Sequence, residues 1–435
     1  MTLPISTEDE IFDLESKLEK TRLKLLDLTT MGALITSILN LETILSVVME
    51  MSIRTVDGEV GLIQLEENGE LVSKITWGVD DTVIRNIIYR DDKNVADYCF
   101  IRQEPVVMSD FGHNTDLGPN LTSLLALPIK SRSQCHGVIV IINKTTDELF
   151  TDEDQKNLEM LINFAAVAID NSILLKESLQ KQKIEQELTI ARQIQETILP
   201  NSAIKIKGVD IGRLYRPARS VGGDFYDIVK LSDSEFVIIV GDVSNKGIPA
   251  AMLMAASIAI IRCELMKCPD ISPGTLMNNL NNVLCSRIIK SHDMFVTMFI
   301  AHINLDSREI VYCNAGHLPP LFWDSGRREI SEWRPGGTFV GQFPDMQFKE
   351  DTMVFNPGDR FLAFTDGITE AEDINGRQFG TERLKRMFLR EIDMSAEKFC
   401  SHVRDQVDRF TEGAGEEPFD DLTLLAIRML RDDQK

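Results

Sequence analysis

Three apolar, strand-forming runs in the second half of this chain are joined to aspartates, and that repetition constrains the fold more than any other feature. Glu235-Phe-Val-Ile-Ile-Val240 is short, β-branched and apolar, the signature of a buried strand, and it delivers Asp242 at its C-terminal end. Arg360-Phe-Leu-Ala-Phe-Thr365 runs into Asp366-Gly367. Asp420-Asp421, preceded by Pro418-Phe419, opens onto Leu422-Thr-Leu-Leu-Ala-Ile427. A fourth acid, Asp224, sits in Arg219-Ser-Val-Gly-Gly-Asp-Phe-Tyr-Asp227, where glycine lets backbone and ions approach closely. Taken singly, each aspartate reads as a turn residue or a helix cap. Four of them, each beside glycine or a second acid at the edge of an apolar run, predict carboxylates gathered at one sheet edge.

The chemistry follows from the donor type. Clustered carboxylates without His or Cys partners select Mg²⁺ or Mn²⁺ over zinc. Two such ions a few ångströms apart can share a bridging Asp, lower the pKa of a bound water and clamp a phosphoryl group. Asp242 is the bridging candidate, with the carbonyl of Val243 a further ligand. Asp366 and Asp420 complete the pair of sites, and Asp224 acts directly or through water. Asp242 and Asp224 are the candidate catalytic residues.

The formal charge of -22 argues against a nucleic-acid partner, which needs a positive face. The seven cysteines (99, 135, 263, 268, 285, 313 and 400) are scattered, with no C-x-x-C pair, which fits reduced thiols better than a disulfide framework or a zinc site. No signal peptide is evident at Met1-Thr-Leu-Pro-Ile, and the longest nearly apolar run, Ile248 to Ile261, is shorter than the roughly 20 residues of a membrane span. The expectation is a soluble, cytoplasmic protein with no membrane span. At 435 residues there is room for two or three domains.

In chain order, Ile11, Leu14, Leu18, Thr21, Leu25 and Leu28 recur at spacings of three and four, a short heptad seam. Such a helix either packs on its own domain or dimerises. Helical periodicity from Ile38 to Glu50 then gives way to strand-like Gly61–Glu66, Leu71–Trp77, Leu124–Ile129 and Gly137–Asn143. A helix from Thr151 to about Lys176 closes the segment, with Thr151 as N-cap and Asp152, Glu153 and Asp154 in its first turn. Asn143-Lys144, Phe150-Thr-Asp-Glu-Asp154 and Ala165-Ala-Val-Ala-Ile-Asp-Asn171 carry a resemblance to GAF sensor domains over about 150 residues. Some cyclic-nucleotide-binding GAF domains share an N-K…F-x-x-x-D-E signature. Here its last acid is Gln155, and in those domains the signature is largely a structural lock, so it implies no nucleotide. An unknown small ligand and a bare dimerisation module both remain open.

Residues 176–199 contain no Pro or Gly and read as one helix ending before Pro200. Ile184, Leu188, Ala191, Gln195 and Ile198 step by four and three, a narrow seam that suits a two-stranded coil in a homodimer. A rigid spacer is the alternative. A helix entering a domain directly can transmit rotation or a change of registry, which favours a signalling linker.

From Asn201 to Ile427 the chain resembles the SpoIIE/RsbU-like branch of the metal-dependent protein phosphatases, the PPM family. Five motifs occur in order: Arg216-Pro-Ala-Arg-Ser-Val-Gly-Gly-Asp-Phe-Tyr-Asp227, Gly241-Asp-Val-Ser-Asn-Lys-Gly-Ile-Pro-Ala-Ala251, Asn314-Ala-Gly-His-Leu-Pro-Pro320, Thr365-Asp-Gly-Ile-Thr-Glu-Ala371 and Asp420-Asp-Leu-Thr-Leu424. Upstream, Glu187-Leu-x-x-Ala-Arg-x-Ile-Gln195 is similar to the linker that precedes such domains. The resemblance implies an αββα sandwich and a dinuclear Mn²⁺ or Mg²⁺ centre. It further implies hydrolysis of phosphoserine or phosphothreonine by direct attack of a metal-bound water. Metal positions carry over to Asp224, Asp242, Val243 through its backbone, Asp366 and Asp420, with Asp421 left open. It also implies a phosphorylated partner of the STAS-domain anti-sigma-factor-antagonist type.

Two departures matter. Eukaryotic-type members place a His soon after the acid equivalent to Asp242, whereas here Ser244 follows Val243, leaving no side-chain donor for the leaving group. Arg219 lies five residues before Asp224, a spacing like that of the family's phosphate-binding Arg, although pairing with surface acids would equally explain it. His317 reads as part of a structured turn. Gly222-Gly-Asp-Phe-Tyr echoes the G-G-D/E-E-F loop of diguanylate cyclases, but its fourth residue is not an acid and the other three acidic loops would go unexplained.

The expected fold class is α+β multidomain: an N-terminal helix (1–28), a GAF-like α/β sensor (29–175), a helical coiled-coil linker (176–200) and a PPM-type αββα phosphatase domain (201–435). The expected function is a regulated protein phosphatase. The rival is a catalytically inactive scaffold that binds phosphoprotein, and the presence of all four acids favours activity. A third reading, a ligand-binding sensor with the phosphatase domain as anchor, predicts metal-independent partner binding.

Overall fold

A computed structural model describes residues 30, 32–78, 88–90, 93–109, 121–146, 148–200, 204–289, 294–334, 336–414 and 420–431. The heptad seam between Ile11 and Leu28 lies outside them, as do Pro418 and Phe419. The chain divides into two compact units, residues 1–183 and 184–435.

In the first unit, α1 (Leu41–Thr55) precedes β1 (Gly58–Glu67) and β2 (Glu70–Trp77), then α2 (Val95–Arg102), β3 (Val106–Met108), β4 (Leu124–Lys130), β5 (Cys135–Lys144) and α3 (Asp152–Ile198). The five strands form one antiparallel sheet in the order β2-β1-β5-β4-β3. Period-2 alternation sends Ile139 and Ile141 of β5 toward α1 and the start of α3, and Val138, Val140 and Ile142 toward α2. The strand reads as a continuous apolar run because both faces are covered. Thr151 caps α3: its hydroxyl accepts the Asp154 N–H at 3.2 Å, and its own N–H donates to Asp154 at 2.8 Å. Lys144 pairs with Asp154 at 3.0 Å, and the Asn143 side chain accepts the Thr122 N–H at 2.8 Å. These contacts tie β5 to α3 and give the Asn143-Lys144 signature a structural role.

The expected break near Lys176 is absent. One 47-residue helix, α3, replaces the two helices expected from the sequence, because nothing between Asp152 and Ile198 interrupts the backbone ladder.

The second unit contains β6 (Val209–Arg216), β7 (Phe225–Lys230), β8 (Glu235–Val243), α4 (Ile248–Lys267), α5 (Pro273–Val283) with a π-turn at Leu284–Ile288, β9 (Val296–Asn304) and β10 (Glu309–Ala315). It continues with β11 (Leu321–Asp324), β12 (Glu329–Glu332), β13 (Glu350–Val354), β14 (Arg360–Phe364), α6 (Asp366–Thr369), α7 (Thr381–Arg390), α8 (Ala396–Phe410) and β15 (Leu422–Met429). Two antiparallel sheets, β13-β10-β9-β8-β7 and β12-β11-β14-β15-β6, stack face to face. Phe236, Ile238 and Val240 of β8 meet Phe361, Leu425 and Ile427 across the sandwich, while Val237 and Ile239 turn outward under α4 and α5. On the other side Leu362, Phe364 and Leu424 pack beneath α7 and α8. The layers are therefore αββα, with three apolar seams, and burying a Phe or Ile in one of them contributes roughly 2–3 kcal/mol.

Among the described residues two helices, α3 and α4, are long and apolar enough to cross a membrane by length and composition. The helix that contains the Ile248–Ile261 run continues to Lys267, and its Leu253, Ile258, Ile261 and Leu265 pack into the core beneath the sheet. All seven cysteines are free thiols.

Candidate metal centre

Antiparallel pairing brings the four acids to one end of the sandwich. β8 ends at Val243 beside the start of β7, so Asp242 and Asp224 emerge together; β14 ends at Phe364 opposite Leu424 of β15, so Asp366 and Asp420 emerge beside one another. Thr297 of β9 sits opposite Asp242.

Asp224 is the most enclosed of them, 2 % exposed. Its Oδ2 accepts hydrogen bonds from the hydroxyls of Thr365, just past the end of β14, at 2.6 Å and of Thr423 in β15 at 2.8 Å. Burial, then the charges of Asp242 and Asp421, push its carboxyl well above the ordinary range, and the two threonines oppose that shift. Asp242 is pushed up to about 7, first by burial and then by Asp366, with a hydrogen bond to Asp224 pulling the other way. Asp366 is raised by burial and by the charges of Asp420 and Glu370. A cation stands close by on the β8–α4 loop: Lys246 Nζ lies 2.9 Å from Asp420 Oδ2. That loop turns through Asn245 (φ 72°) and Gly247 (φ 81°), and Ser244 pins it by exchanging hydrogen bonds with Phe295.

Among the described residues no three Asp, Glu, His or Cys side chains are already drawn together tightly enough to hold one ion. The donor set nevertheless suits a hard divalent cation. Its side chains are all carboxylates, burial and acidic neighbours raise Asp242 and Asp366, and a lysine ammonium already answers Asp420. The Val243 carbonyl oxygen lies 3.0 Å from where a Cβ on Gly223 would stand, so the β8 backbone closes directly on the Asp224 loop. A cleft of about 600 Å³ opens beside Asp420, walled by Gly367, Glu370, Asp373, Arg216 and Asp408.

Asp421, left open by the sequence, has a different task. Its Oδ1 accepts the Ala218 N–H at 2.7 Å, and its Oδ2 accepts those of Gly223 at 2.6 Å and Asp224 at 3.2 Å. It staples the 218–224 loop to the head of β15. Gly222 is required there, because a Cβ would stand 2.5 Å from Asp421 Oδ2. Asp227 is also structural: it is buried and bound by Arg262 through two hydrogen bonds, at 2.7 and 3.0 Å, while the same guanidinium reaches the Ile198 carbonyl at 2.9 Å.

Arg219 is exposed on the stapled loop and makes no ion pair among the described residues. His317 is 3 % exposed, with its N–H on Asn314 and its Nδ1 2.9 Å from the Thr297 hydroxyl; burial lowers it to about 4. It is a neutral element of a turn. Thr365, Thr423 and Lys246 went unassigned on sequence, and Gln195 was read only as a seam residue of the linker helix. The two threonines lay inside quoted motifs beside the acids, and that adjacency was the available signal.

Two five-stranded antiparallel sheets between helix layers, with acids converging at one end, define a PP2C-type phosphatase fold. Residues 232–430 match the SpoIIE family (Stage II sporulation protein E), and residues 40–169 match the GAF domain. Phosphoserine phosphatase RsbU of Bacillus subtilis is 30% identical over 251 residues, 57% of this chain and 71% of RsbU. Protein IcfG of Synechocystis sp. is 30% identical over 264 residues, 55% of this chain and 41% of IcfG. The SiaA-PP2C domain of Pseudomonas aeruginosa shares the fold with a TM-score of 0.51 at 21% identity, covering 57% of this chain and 98% of that domain. The chain belongs to the SpoIIE/RsbU family of PP2C-type protein serine/threonine phosphatases and carries a GAF domain ahead of the catalytic one.

Proposed function

We propose that this chain is a signal-regulated, metal-dependent phosphatase that hydrolyses phosphoserine or phosphothreonine on a protein partner. Asp224, Asp242, the Val243 carbonyl, Asp366 and Asp420 would hold two Mn²⁺ or Mg²⁺ ions. The carrying observation is the convergence of four carboxylates, of which Asp224, Asp242 and Asp366 are pushed up by burial and then by neighbouring acids, an arrangement that a pair of divalent cations would relieve. When bound, such ions supply Lewis acidity and an activated water for attack on phosphorus. The protein's own contribution is placement. Thr365 and Thr423 orient Asp224, Asp421 fixes the loop before it, and β8 and β9 carry Asp242 rigidly. Arg219, exposed on the stapled loop, is assigned to the substrate phosphoryl group.

The partner is proposed as a phosphorylated STAS-domain anti-sigma-factor antagonist, a reading supported by the likeness to RsbU. A cleft of about 390 Å³ in the GAF unit, lined by Gln64, Leu71, Asn94, Asp97 and Phe100, is large enough for a small regulatory ligand. Homodimerisation through α3 would connect the two functions.

The test is phosphate release from a phosphoserine protein by the full chain, with Mn²⁺, with chelator, and with Asp242→Asn. Metal-dependent turnover abolished by the substitution is expected. Metal binding without turnover on any phosphoprotein supports the inactive scaffold instead, and absence of metal binding refutes the centre.

A further inference from the structure

Gln195 occupies a seam position of the linker helix, where a two-stranded coil would favour an apolar residue. It is instead 5 % exposed and engaged with the catalytic unit. Its Nε2 donates to the Gly222 carbonyl at 2.7 Å, and its Oε1 accepts the Gly222 N–H at 3.1 Å. The amide therefore reads the backbone of one glycine in both directions. The next residue, Gly223, donates its N–H to Asp421, and Asp224 follows. The loop is gripped on one side by the last turns of α3 and on the other by the head of β15. A Cβ at Gly222 would strike Asp421, so the loop has little room to settle elsewhere.

We infer that Gln195 is a positioning residue that holds the Gly222–Asp224 backbone in the register required for metal binding. The inference rests on the metal centre proposed above. Both hydrogen bonds lie out of water, where a lost partner leaves a buried amide group unsatisfied. Gln195 touches neither substrate nor metal ligand, so its removal acts through the loop: metal affinity falls while turnover at saturating metal largely persists.

The experiment compares the full chain with Gln195→Met, which keeps helix propensity and length but lacks both bonds, and with Arg262→Met. The latter frees both the Ile198 carbonyl at the end of the same helix and the buried Asp227 carboxylate on β7, while leaving the Gln195 and Asp421 bonds to the 218–224 loop in place. Calorimetric titration with Mn²⁺ and amide exchange over residues 217–227 are read without substrate, alongside kcat at saturating Mn²⁺. For Gln195→Met, the Mn²⁺ Kd should rise roughly ten-fold and the Gly222 and Gly223 amides should exchange at least roughly ten-fold faster, with kcat lowered far less. Arg262→Met should lower the melting temperature yet leave the Mn²⁺ Kd within about two-fold. Unchanged Kd and exchange in Gln195→Met overturn the inference, and so does an equal rise in Kd for both variants, which would make the effect a general loosening. A wild-type chain that binds no Mn²⁺ refutes the metal centre and this role with it. A chain that binds Mn²⁺ but turns over no phosphoprotein refutes only the activity, because Kd and exchange still decide the role of Gln195.

Discussion

Asp421 Oδ2 receives the Gly223 N–H at 2.6 Å, joining two segments 198 residues apart. Its neighbour Asp420 makes its ion pair with Lys246 and faces the cleft. Adjacent acids in one motif therefore do different work, and substitution separates them. Asp421→Ala strips the acceptor from three backbone donors and should cost about 3 kcal/mol of stability. Asp420→Asn should leave the metal-free melting temperature unchanged or higher while weakening Mn²⁺ binding at least ten-fold, roughly the effect of losing one charged ligand. Thermal melts in chelator together with Mn²⁺ titrations distinguish the two.

The pH dependence of the chelated protein follows from Asp242. Its folded pKa is about 7 against an ordinary 3.8, so the folded state holds a proton that the unfolded chain releases earlier. Stability from this group is full below the lower value and is lost as pH rises through the upper one. The loss is at most about 4 kcal/mol. Metal-free protein should melt at a higher temperature at pH 5.5 than at pH 8, and Asp242→Asn should flatten that profile. A metal-free melting curve independent of pH would contradict the crowding of the carboxylates.

Thr365 and Thr423 both donate to the same oxygen of Asp224 and favour its ionised form. Thr365→Val or Thr423→Val should raise the Asp224 pKa further and shift the pH midpoint of Mn²⁺ binding upward. Each loss is expected to cost about 1–2 kcal/mol, or roughly ten-fold in Kd at neutral pH. The double variant should lose more than either alone, because the buried carboxylate then has no hydroxyl donor.

Arg219 is exposed beside the site. If it engages the phosphoryl group, Arg219→Ala should raise KM for a phosphoprotein roughly ten-fold and leave the Mn²⁺ Kd unchanged. Steady-state kinetics at saturating Mn²⁺ provide the check, and an unaltered KM assigns the residue to the surface.

The linker seam is only half available to a partner helix. Ile184 is 50% exposed, whereas Gln195 is buried on Gly222 and Ile198 packs against the core under α4 and α5. A dimer would therefore use the N-terminal part of the seam. Sedimentation should give a dimeric full chain that dissociates on Ile184→Glu, and a monomeric full chain would remove the coiled coil from the mechanism.

The identity of the catalytic fold was legible because its evidence is local. Buried strands such as Val237–Val240 are apolar on both faces, acids follow them at once, and the ordered motifs mark each loop. The helix starting at Thr151 was legible at its cap for the same reason. The continuity of α3 through residue 176 was missed, because absence of a helix breaker is weaker evidence than the presence of one. Gln195 was read as a seam residue because spacing reports which residues share a helix face and says nothing of what that face meets.

The sequence by itself determined the residue types at the site and their order along the chain: carboxylates at strand ends, glycine wherever backbone must approach, and no His or Cys among the proposed donors. These choices depend on neighbours within a few positions. Only the tertiary structure decided which acids share a site and which serve the scaffold. Asp420 and Asp421 are chemically equivalent in sequence, and they differ because antiparallel pairing of β14 with β15 presents one to the cleft and the other to the amides of a loop about 200 residues away. The assignment depends on hydrogen-bond geometry across strands distant in sequence, which no local pattern encodes.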